Sequence, residues 1–298
     1  MIRDNLKINE FGKRLVEQTR AREKKALEKS SIQISTTTEL NRQKQIRLPY
    51  CAPGTKNIPN GMLRSGLFSL YRKDIRTHLE REEIASLAGV EIRYTGKAMN
   101  QEDLTVYASL ISLQSNNTGE IFSTSLYKIL TDIGKRNSGQ NRRDLIDTII
   151  RLRGAVVEIT QGEQRYIGGL IDRANINEIT GKWEITIDPK IAVLFRDDQY
   201  TRIHWNLRLS LRKKPLAMWL HGFFSSHKKP YPIKASTIQN LCKSRSSSQR
   251  NFRNITLPKA LSEISRVSRA LGKEFQWEIE GGLVRILKNF EDLPDEKI

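Results

Sequence analysis

Between Gln199 and Ser262 the chain contains no Asp or Glu, although the same sixty-four residues carry thirteen cations: Arg202, Arg208, Arg212, Lys213, Lys214, Lys228, Lys229, Lys234, Lys243, Arg245, Arg250, Arg253 and Lys259. A surface of one sign repels itself unless a polyanion neutralises it, so this stretch is not the mixed-sign exterior of an ordinary domain. Nucleic acid is the polyanion implied. Cysteine is scarce too. Cys51 and Cys242 are too few for a disulfide framework and too far apart for a structural zinc site, which points to a reduced compartment. No apolar run approaches the ~20 residues of a membrane span, and the N-terminus lacks the apolar centre of a secretion signal. The expectation is therefore a cytoplasmic protein without a membrane association.

Catalytic signatures are missing as well. There is no G-x-x-x-x-G-K-[ST] loop to cradle nucleotide phosphates and no His-x-His pair to hold a metal beside a nucleophilic tyrosine. His204, His221, His227 and Cys242 lack the short spacing of zinc ligands, and the acid pairs Glu82-Glu83 and Asp197-Asp198 read as solvated charges. No enzyme, cofactor or metal is expected.

What is present is unevenly placed. The net charge of +18 divides into +6 over residues 1–48 (twelve basic, six acidic), +1 over 49–200 (twenty and nineteen), +13 over 201–260 (thirteen and none) and −2 over 261–298 (six and eight). A chain of 298 residues can hold two domains with cores of their own.

Residues 1–48 mix Lys, Arg, Glu, Gln, Ser and Thr, with a helix expected over residues 10–29 whose apolar stripe (Phe11, Leu15, Val16, Ala26, Leu27) is broken. They form a basic tail that orders on a partner, or a solvated linker with no role of its own. Residues 48–61, with three prolines and two glycines, mark the boundary before the first packed unit. That unit opens with a strand at Glu91-Ile92-Arg93-Tyr94 and a turn at Gly96. Asn100 then caps a helix whose first turn carries Glu102 and Asp103 at the positive end of the dipole, with Leu104, Tyr107, Leu110 and Ile111 inward. A second helix over residues 124–133 places Leu126, Ile129, Leu130 and Ile133 on one face and stops at Gly134. Ser138 caps a third, ending near Arg153, with Leu145, Ile146, Ile149, Ile150 and Leu152 inward and Gly154 closing it. β-rich runs follow over residues 155–160, 165–174 and 182–187, parted by turns at Gln161-Gly162-Glu163 and Thr180-Gly181.

The same order then returns. A helix around residues 211–226 turns Leu216, Trp219, Leu220, Phe223 and Phe224 inward, and a short helix follows near residues 236–242. A long one starts near Ser247, with Phe252, Ile255, Leu261, Ile264 and Leu271 inward, and must kink or restart at Pro258. Residues 275–280 alternate apolar and polar, Gly281-Gly282 turns, and residues 283–287 return as the second strand of a hairpin. Trp183, Trp205, Trp219 and Trp277 sit at apolar-patterned positions and read as core.

Three helices and a β-hairpin, twice over, make an α+β chain of two tandem winged-helix domains: a basic N-terminal tail or linker at 1–57, a first domain at 58–200, a second at 201–290 and a C-terminal tail at 291–298. In this form of helix-turn-helix the third helix reads bases from the major groove while the wing and helix ends grip phosphate. Both third helices are approached through basic sequence. The first approach holds Lys135, Arg136, Asn137, Ser138, Gln140, Asn141, Arg142 and Arg143; the second holds Lys243, Ser244, Arg245, Ser247, Gln249, Arg250, Asn251 and Arg253. Asn and Gln suit adenine, Arg suits guanine, and small serines permit close approach. Arg142 and Arg250, in the first turns, are expected to read bases, whereas Lys213, Lys228 and Lys229 lie outside these helices and offer point charges to phosphate. The alternative is a solvated face of modules that bind protein instead.

Four further stretches carry a resemblance: Pro59-Asn60-Gly61 with Leu63-Arg64-Ser65 and Leu67-Phe68; Val90 through Gly96; Asn100-Gln101 with Asp103-Leu104 and Val106-Tyr107; and Lys214-Pro215-Leu216-Ala217 with Trp219-Leu220-His221-Gly222-Phe223. Together they resemble the TrfA family of plasmid replication initiators over about residues 58–285. The resemblance implies binding of double-stranded origin DNA at repeated sites (iterons), opening of adjacent AT-rich DNA, and recruitment of the host replicative helicase and host initiator. A monomer–dimer equilibrium is compatible with it. Members of the family also resemble sliding-clamp ligands through a Gln-x-x-Leu-Phe-like peptide, but here Arg64 stands where Gln is expected, and Leu67 and Phe68 read instead as a staple on the first domain. An autoregulatory repressor of the same fold and a nicking enzyme are the rival readings.

Overall fold

The computed structural model describes residues 48–87, 89–116, 122–161, 164–246 and 248–292. The expected helix over residues 10–29, the rest of the basic tail to residue 47, the turn residues Gly162 and Glu163, Ser247 and residues 293–298 lie outside the described residues.

The described chain begins with strand β1 (Thr55–Pro59), a helical turn α1 (Asn60–Leu63), and strands β2 (Phe68–Ser69), β3 (His78–Ile84), β4 (Val90–Lys97) and β5 (Met99–Asn100). Helix α2 (Gln101–Ser115), strand β6 (Phe122–Ser125) and helices α3 (Leu126–Asp132) and α4 (Gly139–Arg153) come next. Strands β7 (Val156–Gln161), β8 (Gln164–Gly168), β9 (Ile171–Asn177) and β10 (Lys182–Ile187) precede a 3-10 segment (Pro189–Asp198) and β11 (Tyr200–His204). The remainder comprises helices α5 (Trp205–Ser210) and α6 (Pro215–Ser225), strand β12 (Ile233–Lys234), helix α7 (Ala235–Leu241), the short α8 (Gln249–Asn251) continued through a π turn (Phe252–Thr256) into α9 (Leu257–Ala270), and strands β13 (Lys273–Glu280) and β14 (Leu283–Asp292).

Local chemistry explains the helix boundaries. Asn100 Oδ1 accepts from the Glu102 and Asp103 amides while the Asp103 carboxylate accepts from the Asn100 amide, satisfying donors that a helix start leaves free. Ser125 and Ser138 cap α3 and α4 by accepting from the Lys128 and Asn141 amides.

Two three-stranded antiparallel sheets share one order, β6–β10–β9 and β12–β14–β13. Each belongs to a run of helix, strand, helix, helix, strand, strand: α2, β6, α3, α4, β9, β10 in the first half and α6, β12, α7, α8–α9, β13, β14 in the second. The expected β-rich region after α4 divides, however. β7 and β8 extend β3 and β4 into a four-stranded antiparallel sheet, β3–β4–β7–β8, and only β9 and β10 form the hairpin of the first run. What reads as one strand over residues 165–174 breaks at Gly168-Gly169, where a Cβ on Gly168 would meet the Tyr166 hydroxyl at 2.6 Å. β1 starts inside the stretch expected as a boundary and pairs with β11, and β14 runs to Asp292.

Apolar side chains gather in two clusters, one around Ile58, Phe68, Leu104, Tyr107, Leu130 and Ile149, the other around Leu207, Trp219, Phe224, Phe252, Leu261 and Ile264. Trp183, Trp205 and Trp219 are buried and Trp277 packs half-buried on the second cluster. Ile150 and Ile255, expected inward, are each 63 % exposed. On α4 the buried stripe is Leu145, Thr148, Ile149 and Leu152, which leaves Ile150 a quarter-turn away; the π turn alters the helical phase at Ile255. Leu67 and Phe68 are buried in the first cluster, Phe68 stacking on Tyr107 with ring centres 6.4 Å apart. Arg64 Nε donates to Ser226 Oγ at 3.0 Å at the end of α6.

The halves are pressed together along residues 64–87. Leu70, Ala85 and Leu87 pack on the second cluster, the Leu70 amide donates to the Cys242 carbonyl at 3.1 Å, and a Cβ on Gly66 would lie 2.8 Å from the Leu241 carbonyl oxygen. Gly66→Ala is accordingly expected to destabilise the protein by about 1–3 kcal/mol through overpacking. A lower denaturant midpoint at unchanged m-value is the expected readout, and an unchanged midpoint would show that this contact has slack.

Candidate nucleic-acid interface

Both basic approaches follow the same turn. α3 ends through Ile133 and Gly134, α7 through Cys242 and Lys243; the next amides, Lys135 and Ser244, donate to the Leu130 and Gln239 carbonyls at 2.7 and 3.1 Å. This closure requires a left-handed residue, and Gly134 (φ +66°) and Lys243 (φ +49°) occupy that place. For the lysine the conformation costs about 1–2 kcal/mol.

At the first approach, Arg136, Asn137, Ser138, Gln140, Arg142 and Arg143 are exposed and Lys135 and Asn141 half-buried. Hydrogen bonds within the turn arrange them. Asn141 Nδ2 donates to the Arg136 carbonyl at 2.7 Å, and Arg142 Nε donates to Asn137 Oδ1 at 2.7 Å, which leaves both terminal nitrogens of Arg142 without a partner among the described residues. A guanidinium tethered in this way presents its fork to an acceptor pair such as guanine O6 and N7. Gln140 is differently placed: its Nε2 donates to Asp144 and its Oε1 accepts from Arg143 Nη2, at 2.8 and 3.0 Å, so its amide is occupied on both sides. Lys135 pairs with Glu102 at 2.9 Å.

At the second approach, Ser248 caps α8 by accepting from the Asn251 amide at 3.0 Å, and Arg245, Gln249, Arg250, Asn251 and Arg253 are exposed, with Ser244 half-buried. Arg250 has no ion pair among the described residues. Pro258 restarts the helix as expected: the preceding turn widens so that the Leu257 amide donates to Phe252, five residues back, and the proline falls in the first turn of α9, where a missing N–H leaves nothing unpaired.

One loop touches both approaches, and nothing local in the sequence marks it. In residues 71–76, Lys73 Nζ reaches Asp144 on α4 at 2.5 Å, while Tyr71 lies 3.4 Å from Lys243 Nζ. Arg72 grips Asp74 at 2.7 and 3.1 Å; this fork holds the Asp74 carboxyl below its usual range, with Arg245 adding a smaller pull. Arg76 completes the loop by pairing with Asp103 at 2.5 Å, and Arg151 of α4 takes the other oxygen of Asp103 at 2.8 Å. A cleft of about 270 Å³ lies beneath α4, lined by Lys73, Arg76, Asp103, Lys135, Asn141 and Arg151.

Four of the thirteen cations of the acid-free stretch are engaged by segments of the protein distant from them in sequence, while Arg253 Nε donates only to the adjoining Asn254 Oδ1. Arg208 is wholly buried, Nε donating to Thr105 Oγ1 at 3.1 Å and Nη2 to the Gln101 carbonyl and Oε1 at 2.9 and 3.1 Å, and burial pulls its guanidinium down to about 9. It is no surface charge, and the spacing Trp205, Arg208, Leu211 on one helical face is the signal that could have revealed this. Arg212 donates to the Gly134 carbonyl, Lys214 pairs with Glu263 at 3.1 Å, and Lys243 pairs with Glu82 at 2.7 Å.

The TrfA family, described as TrfA protein, matches residues 9–271. The plasmid replication initiator protein TrfA of Escherichia coli is 27% identical over 205 residues, covering 66% of this chain and 53% of that protein, so the chain spans about half the length of this relative. A crystal structure of domains 2 and 3 of RctB, as the selenomethionine derivative, superposes with a TM-score of 0.54 at 16% identity, covering 78% of this chain and 98% of that one, and shows a shared fold. The crystal structure of Pi initiator protein in complex with iteron DNA superposes with a TM-score of 0.45 at 11% identity, covering 62% and 93%. Among the described residues no helix is long and apolar enough to cross a membrane. Matched across residues 9–271, the chain belongs to the TrfA family.

Proposed function

We propose that the protein is a plasmid replication initiator of the bacterial cytoplasm whose two tandem winged-helix units, within residues 58–200 and 201–290, bind iteron repeats in duplex origin DNA, with the starts of α4 and α8 in successive major grooves. Bound there, it promotes opening of AT-rich DNA and recruits the host replicative helicase and host initiator. The observation that carries the DNA reading is the loop of residues 71–76, which ties two basic, identically capped helix approaches together through Lys73–Asp144 and Tyr71–Lys243. Family membership supports the origin role. An autorepressor would use the same interface. A single-strand-specific probe on origin DNA separates the two, since strand opening is expected of the initiator and absent for the repressor.

Two helices docked one turn apart give a footprint of roughly 20 base pairs per protomer. Half that length, unchanged when either approach is neutralised, would refute the two-helix clamp. Within it, Arg142→Ala or Arg250→Ala is expected to cost about 1–3 kcal/mol on the cognate duplex and much less on scrambled DNA, whereas Lys228→Ala weakens both alike and by less. Competition binding checks this. Equal losses on both duplexes for the two arginines would assign them to phosphate.

A further inference from the structure

Lys243 stands where a glycine is usual. It lies just past the C-cap of α7, at φ +49°, in the turn that leads into α8, and the matching position before α4 is Gly134. Such a conformation in a residue with a side chain is sustained by its surroundings. Here Nζ lies 2.7 Å from Glu82 Oε1, 3.4 Å from the Tyr71 hydroxyl and 5.8 Å from the centre of the Tyr71 ring. Glu82 occupies an irregular place of its own. The β3–β4 register shifts between Leu79 and Glu82, Arg81 sits there at φ +45°, and the Arg81 side chain is drawn off to Glu158 at 2.9 Å. A bulge re-aims the side chains around it, and this one brings Glu82 of the four-stranded sheet to the turn before the second reading helix.

Leu70, Ala85 and Leu87 form the apolar part of this junction, and hydrogen bonds cross between the halves as well, from the Leu70 amide to the Cys242 carbonyl, from Arg64 to Ser226 and from Trp219 Nε1 to the Ser65 carbonyl. Apolar burial has no preferred direction and tolerates sliding, whereas a paired ammonium and carboxylate add a directional, charged restraint at the turn that leads into α8. We propose that the Lys243–Glu82 pair is a latch that sets the position of α8 relative to α4, so that the protein selects DNA by the spacing of its two groove contacts. Lys243 is on this view a positioning residue, held off the phosphates. The proposal rests on the duplex reading above.

The test uses the full chain and a duplex that the wild type selects from a random pool. One base pair is inserted between its two footprinted contacts, a rotation of about 35°. Wild type is expected to bind the inserted duplex about tenfold or more weakly, a loss of the size of a mismatched base pair. Lys243→Gly and Glu82→Gln are expected to lose about threefold or less on the same insertion. Because glycine suits the left-handed turn, Lys243→Gly should unfold thermally no earlier than wild type, which separates a released latch from a damaged fold. The exchange of Glu82→Lys with Lys243→Glu should restore the spacing penalty. Equal spacing penalties in all these proteins overturn the latch. So does a Lys243→Gly variant that weakens both duplexes alike and lowers the salt slope by about one, the mark of a phosphate contact. If wild type selects no duplex at all, the duplex reading itself falls, and the latch with it.

Discussion

Asp103→Asn is expected to lower the stability of the protein by about 3–5 kcal/mol, the cost of stranding buried charges whose partner has been removed. The Asp103 side chain has no exposure, and its two oxygens neutralise Arg76 at 2.5 Å and Arg151 at 2.8 Å, whose side chains are themselves only 9% and 13% exposed. Asparagine keeps the shape and an acceptor for the Asn100 amide, so the capping of α2 is disturbed less than the charge balance. Two guanidinia then remain with a neutral neighbour. They tie the loop of residues 71–76 and α4 to the start of α2, so loosening them also loosens α4. Equilibrium denaturation measures the loss. A change below about 1 kcal/mol, the scale of an exposed pair, would mean that water reaches this cluster freely.

Affinity for duplex DNA is expected to fall about a thousandfold or more between 50 and 200 mM salt, as follows from six or more phosphate contacts each releasing counterions. Removing Arg208, Arg212, Lys214 and Lys243 from the thirteen cations leaves nine: Arg202, Lys213, Lys228, Lys229, Lys234, Arg245, Arg250, Arg253 and Lys259. All nine are exposed and none has an ion pair among the described residues. Six on phosphate correspond to a log–log slope near about −5, and a slope shallower than about −3 would assign these charges to another partner. Arg208→Met serves as the internal control. It removes a positive charge from the same stretch, yet one that the fold keeps from solvent, and it should leave the slope as it was.

Much of the helical framework is legible in the amino-acid sequence, because it is decided within a turn or so of chain. Asn100 with Asp103, Ser138, and Gly134 announce helix ends through hydrogen bonds spanning three to five residues, and they cap and close α2, α4 and α3 as expected. The β-region is legible only in part. Residues 155–160 and 165–174 have the composition of strands, but composition does not say which partner a strand takes, and the pairing of β7 with β4 rather than with the β9–β10 hairpin depends on residues some sixty positions upstream.

The candidate interface divides in the same way. Sequence alone determined that one stretch is basic and free of acids, that two helices of matching build begin within basic residues, and which side chains stand in their first turns. Charge and period are properties of neighbours along the chain. Tertiary structure alone decided that Arg208 is buried among Gln101 and Thr105, that Lys243 answers Glu82, and that residues 71–76 join the two approaches. Burial, pairing and position belong to contacts between distant segments, and a residue's charge carries no record of which of them the fold will turn inward.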